Sequence, residues 1–394
     1  MTLQRHHLPA LIGLALLVAA ASYIVDQSHP VLWDLEIYQN AIAIDKAGGN
    51  PYEDFEAVRF AYAPMVLELM SFMGFSTLQY ALLAGLALAT FAHRLMRLLL
   101  VGALASVSIY AIFPVSFLQA FQTGNVAAPF HLLLVFTFFL TRDRWRIAFY
   151  ATVLLFSLFK PYFLAYALLP ALTDRLNPRA LIPTAVVAGL CGLAFVAQYL
   201  VAPQQFELFL LSLDTQGIHL EDASRSDPDA APPMVGRSLY YYVAAVADLP
   251  SWLKLLVNWT VTGSIAFWAF KAGHRAARRI PDRDERYAFV AFLAIVAVNL
   301  INPRLMVYDW FIMDAAAIAA AIVLVRSGLD VIHERLWPVV MAATAILLVV
   351  TTRTESVALR EVHIAICVYG PVLVLYAQLA VLDRETGRQE SAVG

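Results

Sequence analysis

Charge is what this sequence has least of. Only 14% of its 394 residues are charged, against 61% that are hydrophobic, and 27 basic side chains face 29 acidic ones. A soluble chain of this length needs far more polar surface. The net charge of -2 also provides no basic field of the kind that attracts nucleic acid. The composition therefore indicates a membrane protein and excludes nucleic acid as a partner.

Cysteines and nucleotide-binding motifs are also scarce. The two cysteines, Cys191 and Cys367, both lie inside apolar runs, so we interpret them as inert core thiols rather than as a disulfide or metal pair. The sequence contains no GxxxxGK[ST], HExxH or GxSxG motif, and no GxGxxG follows a strand pattern. We therefore expect neither a metal nor a cofactor, and any donor substrate has to be carried by a lipid.

Apolar runs of about 16 to 22 residues recur from end to end, which is typical of a polytopic helical membrane protein. We predict one integral membrane domain over residues 1–394, an all-α bundle of about 12 transmembrane helices with both termini cytoplasmic. The predicted spans are 8–25, 98–113, 126–140, 180–201, 252–270, 287–301, 309–325, 336–352 and 364–381. Span 8–25 has a cleaved signal peptide as its alternative; we favour an uncleaved span because it is long enough to cross and many more follow.

Two regions do not fit a simple count of spans. Residues 60–93 are too long for one span, yet the loops that flank them allow only one net crossing. Residues 147–172 contain Lys160 and Pro161 in the middle of an apolar run. Because a lone lysine at mid-bilayer is costly, we predict two short helices that meet there near the outer surface.

The positions of lysine and arginine predict which side faces the cytoplasm. The termini and loops 93–97, 141–146, 173–179, 271–286 and 326–335 hold 18 of the 27 basic residues, so we place them inside. Loops 26–59 and 202–251 each contain seven carboxylates against two basic residues and are placed outside. We expect the polar machinery on the outer face, with 26–59 as the catalytic loop and 202–251 as a second outer loop.

The catalytic candidate in loop 26–59 is Asp34. Asp34 and Tyr38 share one face of a predicted amphipathic helix, Glu36 lies on another, and the turn "GGNPY" (48–52) ends it. One interpretation of Asp34 is a helix N-cap. The other is a carboxylate base, which must lie within hydrogen-bond reach of the proton that it removes. Spacing alone leaves both open.

Further polar candidates lie beside or within apolar runs. His131, in the helix after Asn125, is either a packed, hydrogen-bonded histidine or part of a polar site. Lys160 either extends to the lipid headgroups or binds a phosphate. Asp309, at the edge of a predicted span, is a functional candidate because carboxylates there are costly. Tyr62 is either an interfacial aromatic or part of the site.

The order of these elements resembles glycosyltransferase family 87, polyprenyl-phosphate-dependent membrane glycosyltransferases of the GT-C class. The similar elements are "WDLEIYQ", "GGNPY", "FAYAP" with Ala63 in place of a proline, "TGNVAAPF", Lys160-Pro161-Tyr162, "GRSL" (236–239) and "NPRLMVYDW". The resemblance implies a GT-C-like bundle in a bacterial inner membrane and a mannosyl- or arabinofuranosyltransferase activity. The donor would be a polyprenyl-phosphate sugar and the acceptor a lipid or glycan.

In such an enzyme Asp34 would deprotonate the acceptor hydroxyl, which displaces polyprenyl phosphate with inversion. The expected substrate-binding residues are Glu36, Tyr38, Tyr62, Asn125, His131, Lys160, Arg237, Arg304, Tyr308 and Asp309. The competing class is a multi-pass transporter or a lipid flippase, which also accounts for proline-broken helices and polar residues inside the membrane. That class predicts repeated halves and deep charges, whereas the visible halves are dissimilar.

Overall fold

The computed structural model describes residues 32–52, 60, 62–110, 121, 123–142, 146–174, 178–212, 238–240, 249–303, 307–329 and 369–385. Within these ranges all regular secondary structure is helical, which confirms the all-α prediction for the described part of the chain. The predicted spans 8–25 and 336–352, residues 364–368 of the span 364–381, and most of loop 202–251 lie outside the described residues.

The helices follow the apolar runs. In chain order they are α1 (Trp33–Lys46), α2 (Pro64–Met73), α3 (Thr77–Ala89), α4 (Arg94–Tyr110), α5 (Ala127–Leu140), α6 (Arg146–Phe159), α7 (Leu169–Thr173), α8 (Pro178–Val201), α9 (Ser251–Ala277), α10 (Arg283–Leu300) and α11 (Val307–Arg326). Short 3-10 helices cover Thr90–Ala92 and Pro161–Leu168, and residues 203–212 and 369–385 are also helical.

Only some of these helices are long and apolar enough to span a membrane. Two of the described helices, Arg179–Val201 and Trp252–Ala277, are long and apolar enough to cross a bilayer. Helix α2 and the segment Thr77–Ala92 meet at an angle of 100°. Together they are long and apolar enough to form a third crossing, as one broken span. That bend explains why residues 60–93 exceed the length of one straight span.

The core is built around α11, which packs against α4 and α10. Five alanines of α11 between Ala315 and Ala320 are completely buried and let the neighbouring backbones approach closely. Gly102 of α4 lies directly against the backbone of Ala315, where a Cβ atom would collide with the carbonyl oxygen. Small residues therefore set the distance between these helices.

The predicted break in residues 147–172 is confirmed. Helix α6 ends at Phe159, Lys160 is extended (φ -139°, ψ 106°), and Pro161 begins the 3-10 helix. Proline lacks the N–H that would continue α6, so the helix ends before it. Lys160 consequently projects from the junction of two helices instead of from the middle of one.

Candidate active site

Asp34 lies in the first turn of α1 but does not cap that helix. Leu32 occupies the N-cap position with a left-handed backbone (φ 64°) and no side-chain cap hydrogen bond. The backbone N–H of Asp34 donates to the carbonyl of Thr123 at 2.8 Å, and its Oδ2 accepts from Asn125 Nδ2 at 3.1 Å. The N-cap interpretation is therefore wrong, and the carboxylate instead faces the loop that precedes α5.

The amphipathic helix predicted around Asp34 is confirmed as α1. Asp34 and Tyr38 are buried on one face, whereas Glu36 is exposed on the opposite one. The helix ends where predicted, because Gly48 adopts φ 77° and Asn50 Oδ1 accepts from the N–H of Tyr52 at 3.0 Å. The predicted binding residue Glu36 thus points away from the other site residues.

The loop Thr123–Asn125 holds the start of α1. Gly124 has φ 76°, and a Cβ atom there would lie 2.9 Å from Leu35 Cβ, so the close approach of α1 needs glycine. The N–H of Asn125 donates to Thr123 Oγ1 at 3.1 Å, and the N–H of Ala127 donates to Asn125 Oδ1 at 2.9 Å. These bonds fix the Asn125 amide beside the Asp34 carboxylate.

Asn125 connects that carboxylate to a cation. Lys160 Nζ donates to Asn125 Oδ1 at 2.9 Å, while Asn125 Nδ2 donates to Asp34. An ammonium only donates and a carboxylate only accepts, so these two partners fix the orientation of the amide. Three residues that are distant in the sequence therefore form one chain, Asp34–Asn125–Lys160.

Tyrosines form one wall beside this chain. Lys160 Nζ lies 5.5 Å from the centroid of the Tyr62 ring and 6.0 Å from that of Tyr162. The hydroxyls of Tyr38 and Tyr62 are hydrogen-bonded at 2.8 Å, and Tyr52 Oη donates to the carbonyl of Tyr62 at 2.7 Å. Burial, with the nearby charges of Asp45 and Glu68, raises the pKa of Tyr52, so this phenol keeps the proton that it donates.

A second polar cluster surrounds His131, which is completely buried in α5. Its Nε2 lies 2.8 Å from Asp309 Oδ1 and its Nδ1 lies 2.6 Å from Tyr166 Oη. Tyr162 Oη also donates to Asp309 Oδ1 at 2.9 Å, and Asn299 Nδ2 donates to Tyr166 Oη at 3.1 Å. Tyr162 therefore contacts this His131–Asp309 cluster and also lies near Lys160, so that the two clusters adjoin.

The structure thus brings together most of the predicted residues for which it describes a side chain. The residues that converge are Asp34, Tyr38, Tyr62, Asn125, His131, Lys160 and Asp309. Arg237 and Arg304 lie outside the described residues, and Tyr308 belongs to α11 but its side chain is not described. For these three residues the prediction stays a prediction.

Three members of the site were not selected from the sequence: Tyr162, Tyr166 and Asn299. Asn299 was detectable in principle, because a lone amide in the apolar run of α10 is costly unless it is hydrogen-bonded. Tyr162 stands in the motif Lys160-Pro161-Tyr162 but looks like an interfacial aromatic. Tyr166 has no distinguishing signal, since aromatic residues are frequent throughout this chain.

The arrangement offers an acceptor for a proton, a cation and several hydroxyl donors in one place. Asp34 is only 8% exposed, so a small part of the residue remains accessible to solvent. Within the described ranges, no three histidine, cysteine or acidic side chains are grouped so that they could hold a metal ion. Comparisons with protein-family models, with curated proteins and with solved structures find no match to this chain.

Proposed function

We propose that this protein is a membrane-embedded inverting glycosyltransferase that transfers a sugar, mannose or arabinofuranose, from a polyprenyl-phosphate donor to a lipid or glycan acceptor. The observation that carries the proposal is the chain Asp34–Asn125–Lys160, which places a carboxylate and a cation on the two sides of one fixed amide. Glycosyl transfer from a lipid phosphate needs these two groups, one for the proton of the acceptor and one for the leaving phosphate.

The proposed reaction is a single displacement. The acceptor hydroxyl attacks the anomeric carbon, a new C–O bond forms on one face, and the bond to the phosphate oxygen breaks on the other. The hydroxyl proton passes to Asp34, and the electron pair of the broken bond leaves on polyprenyl phosphate. Lys160 stabilises the charge that develops on that phosphate, because a fixed cation in a partly buried site needs little reorganisation.

The proposed architecture is a GT-C-like bundle of about 12 transmembrane helices with α1 at the outer surface. It is supported by the distribution of polar groups along α10, whose first residue, Arg283, belongs to a basic loop and whose Asn299 belongs to the His131–Asp309 cluster. These positions are about 24 Å apart at 1.5 Å per helical residue, which is most of the roughly 30 Å of a hydrocarbon core, but α10 is not among the helices that are long and apolar enough to cross it alone.

The test is Asp34→Asn, which keeps the shape and hydrogen bonding of the side chain but removes the proton acceptor. We expect glycosyl transfer by the detergent-purified variant to fall by roughly 10²- to 10⁴-fold. Glu36→Gln is the matched control, because it makes the same chemical change on the exposed face of the same helix. A folded Asp34→Asn protein with wild-type turnover would falsify the catalytic role.

A second candidate, a proton-coupled transporter, is favoured by one specific observation. His131 and Asp309 are both completely buried and hydrogen-bonded to each other, as in proton relays within membranes. In reconstituted vesicles a transporter would move its substrate in response to a pH gradient, and Asp309→Asn would abolish that movement. A glycosyltransferase would release polyprenyl phosphate with or without the gradient, so one preparation distinguishes the two.

A further inference from the structure

A basic cavity of about 360 Å³ lies at the end of the bundle opposite the candidate active site. It is open to solvent on one side and is bordered by the ends of α5, α7 and α9 and by the starts of α6 and α10. Its lining includes five arginines and one carboxylate, namely Arg142, Arg146, Arg278, Arg283, Arg286 and Asp174. These arginines come from two separate stretches of the sequence, 142–146 and 278–286, and the fold brings them together at one cavity.

Four carboxylates of α10 and of the helical residues 369–385 form ion pairs with arginines, one of which, Arg142, lines the cavity. The pairs are Asp284 with Arg142, Glu285 with Arg326, Asp383 with Arg275 and Glu385 with Arg279. Within the part of the chain that the structure describes, the guanidinium groups of Arg146, Arg278 and Arg283 form no ion pair or hydrogen bond. Arg146, Arg278 and Arg283 therefore face the cavity together with one carboxylate, Asp174, which leaves an excess of positive charge there.

Helix ends add to this positive potential. Arg146 is the first residue of α6 and Arg283 the first residue of α10. The N-terminus of a helix carries a partial positive charge, so an arginine there is unfavourable unless an anion lies nearby. Helix α10 has its own anions in Asp282, Asp284 and Glu285, whereas the first turn of α6 has no acidic residue. Both arginines line the same cavity. The position of the positive charge therefore favours an anionic ligand.

Part of the wall is held rigid by interactions within the protein. The Arg142 guanidinium stacks 3.9 Å from the centroid of the Tyr287 ring and donates to Asp284 at 2.9 Å. Arg286 donates from Nε and Nη2 to the carbonyl of Ile280, at 3.1 and 2.7 Å. The cavity is therefore partly preorganised, which lowers the entropic cost of binding.

We propose that this basic cavity binds the phosphate group of an anionic phospholipid. Guanidinium groups bind phosphate oxygens through paired, charge-assisted hydrogen bonds, and basic pockets between helices are typical sites for anionic headgroups. The neighbouring surface suits acyl chains, because Ile147, directly after Arg146, is 81% exposed. A free phosphate would use the same arginines but would gain nothing from that apolar surface. The inference does not depend on glycosyl transfer.

The experiment measures thermal unfolding of the detergent-purified full chain with phosphatidylglycerol, phosphatidylcholine or inorganic phosphate. The test variant is Arg278→Gln/Arg283→Gln. The matched control is Arg97→Gln/Arg384→Gln, which removes two arginines of the same predicted side that neither line the cavity nor form an ion pair with a described residue. We expect phosphatidylglycerol to raise the melting temperature of the wild type and of the control. In the test variant the half-maximal lipid concentration should rise at least about tenfold, because charge-assisted hydrogen bonds are lost.

Three results would overturn the proposal. The test variant could keep the full response to phosphatidylglycerol, or both double variants could lose it equally, which would indicate diffuse surface charge. Inorganic phosphate could also replace the lipid completely, which would make the ligand a soluble phosphate. Should the test variant not fold, the single changes Arg278→Gln and Arg279→Gln are compared by counting bound phosphatidylglycerol in native mass spectra. Retention in the second variant and loss in the first is then the expected result, and equal retention contradicts the site.

Discussion

At the scale of single residues, the site depends on Asn125. Its amide is the only group in the chain Asp34–Asn125–Lys160 that both donates and accepts, so it can bind a carboxylate and an ammonium at the same time. The amide contacts the base on one side and the cation on the other, which suits a reaction that uses each of them on a different substrate.

Lys160 provides a prediction about donor binding. Lys160→Gln keeps a side chain that can donate to Asn125 but removes the positive charge beside Tyr62 and Tyr162. We expect the affinity for a polyprenyl-phosphate sugar to fall by roughly ten- to a hundredfold, the effect of losing one charge-assisted hydrogen bond. Equilibrium binding of the donor to the purified variant measures this directly.

The control for this prediction is Lys46→Gln, the same substitution at the exposed end of α1. It should leave donor affinity unchanged. If both variants bind the donor as the wild type does, Lys160 does not bind the phosphate and only extends to the lipid headgroups. Another group would then stabilise the leaving phosphate. Acceptor affinity, measured in parallel, should change in neither variant.

Which residues form the site was largely predictable from the sequence, but which residues pair was not. Lys160 and Asp309 stand out because polar groups inside or at the edge of apolar runs are costly and therefore rarely accidental. Asp34 and Asn125 were selected instead from the acidic outer loop and from the elements that resemble the glycosyltransferase family. Asp34 and Asn125 are 91 residues apart, and no local pattern encodes their contact. The N-cap interpretation of Asp34 failed for the same reason, since a single sequence does not show that Thr123 takes its backbone N–H.

At the scale of elements, breaks in helices were easier to predict than packing between them. The junction at Lys160-Pro161 follows from proline chemistry, and the end of α1 follows from a glycine-rich turn. The close contact of α4 with α11 was not visible, because Gly102 lies in an ordinary apolar run. A glycine that sets a helix–helix distance looks the same in sequence as one that faces lipid.

Two glycines therefore form a matched pair for a stability test. Gly102→Ala adds a Cβ atom against the backbone of Ala315, where neither side can rotate away. We expect it to destabilise the protein by about 1–3 kcal/mol, the usual cost of overpacking. Gly189→Ala makes the same change in α8, where nothing lies within 4 Å, and should stabilise by roughly 0.5–1 kcal/mol through helix propensity.

The measurement for this pair is thermal or denaturant unfolding of both variants in one detergent. An unchanged midpoint for Gly102→Ala would mean that α4 and α11 are farther apart than the structure has them. Since α11 carries Asp309 and packs against α5, which carries His131, a shift of α11 should also reduce activity. Loss of activity without loss of stability would point to the His131–Asp309 cluster instead of the core.

At the scale of the whole molecule, two polar regions occupy opposite ends of the described helices. The candidate active site lies where α6 ends and α5 begins, whereas the basic cavity lies where α6 begins and α5 ends. The loops predict that acidic and basic residues fall on opposite sides of a membrane, and this sidedness stays a prediction. The positions of these two regions do not determine the number of crossings, because only two or three of the described helices have the length and composition of a span.

The last prediction concerns the sidedness of these two regions. Single cysteines are placed at Ala47, just after α1, and at Pro281, between α9 and α10, in a background that carries Cys191→Ser and Cys367→Ser. Both positions are exposed, so a difference in labelling reports on the membrane and not on burial. In intact cells a membrane-impermeant thiol reagent should label the cysteine at Ala47 and not the one at Pro281, because the basic loop 271–286 is expected inside. After permeabilisation both should react, which controls for accessibility.

Labelling of Pro281→Cys alone in intact cells would mean that the topology is inverted and that Asp34 and Lys160 lie on the cytoplasmic face. A lipid-phosphate donor would then have to be used on that side, and the outward-facing mechanism would be wrong even if Asp34 proved to be the base.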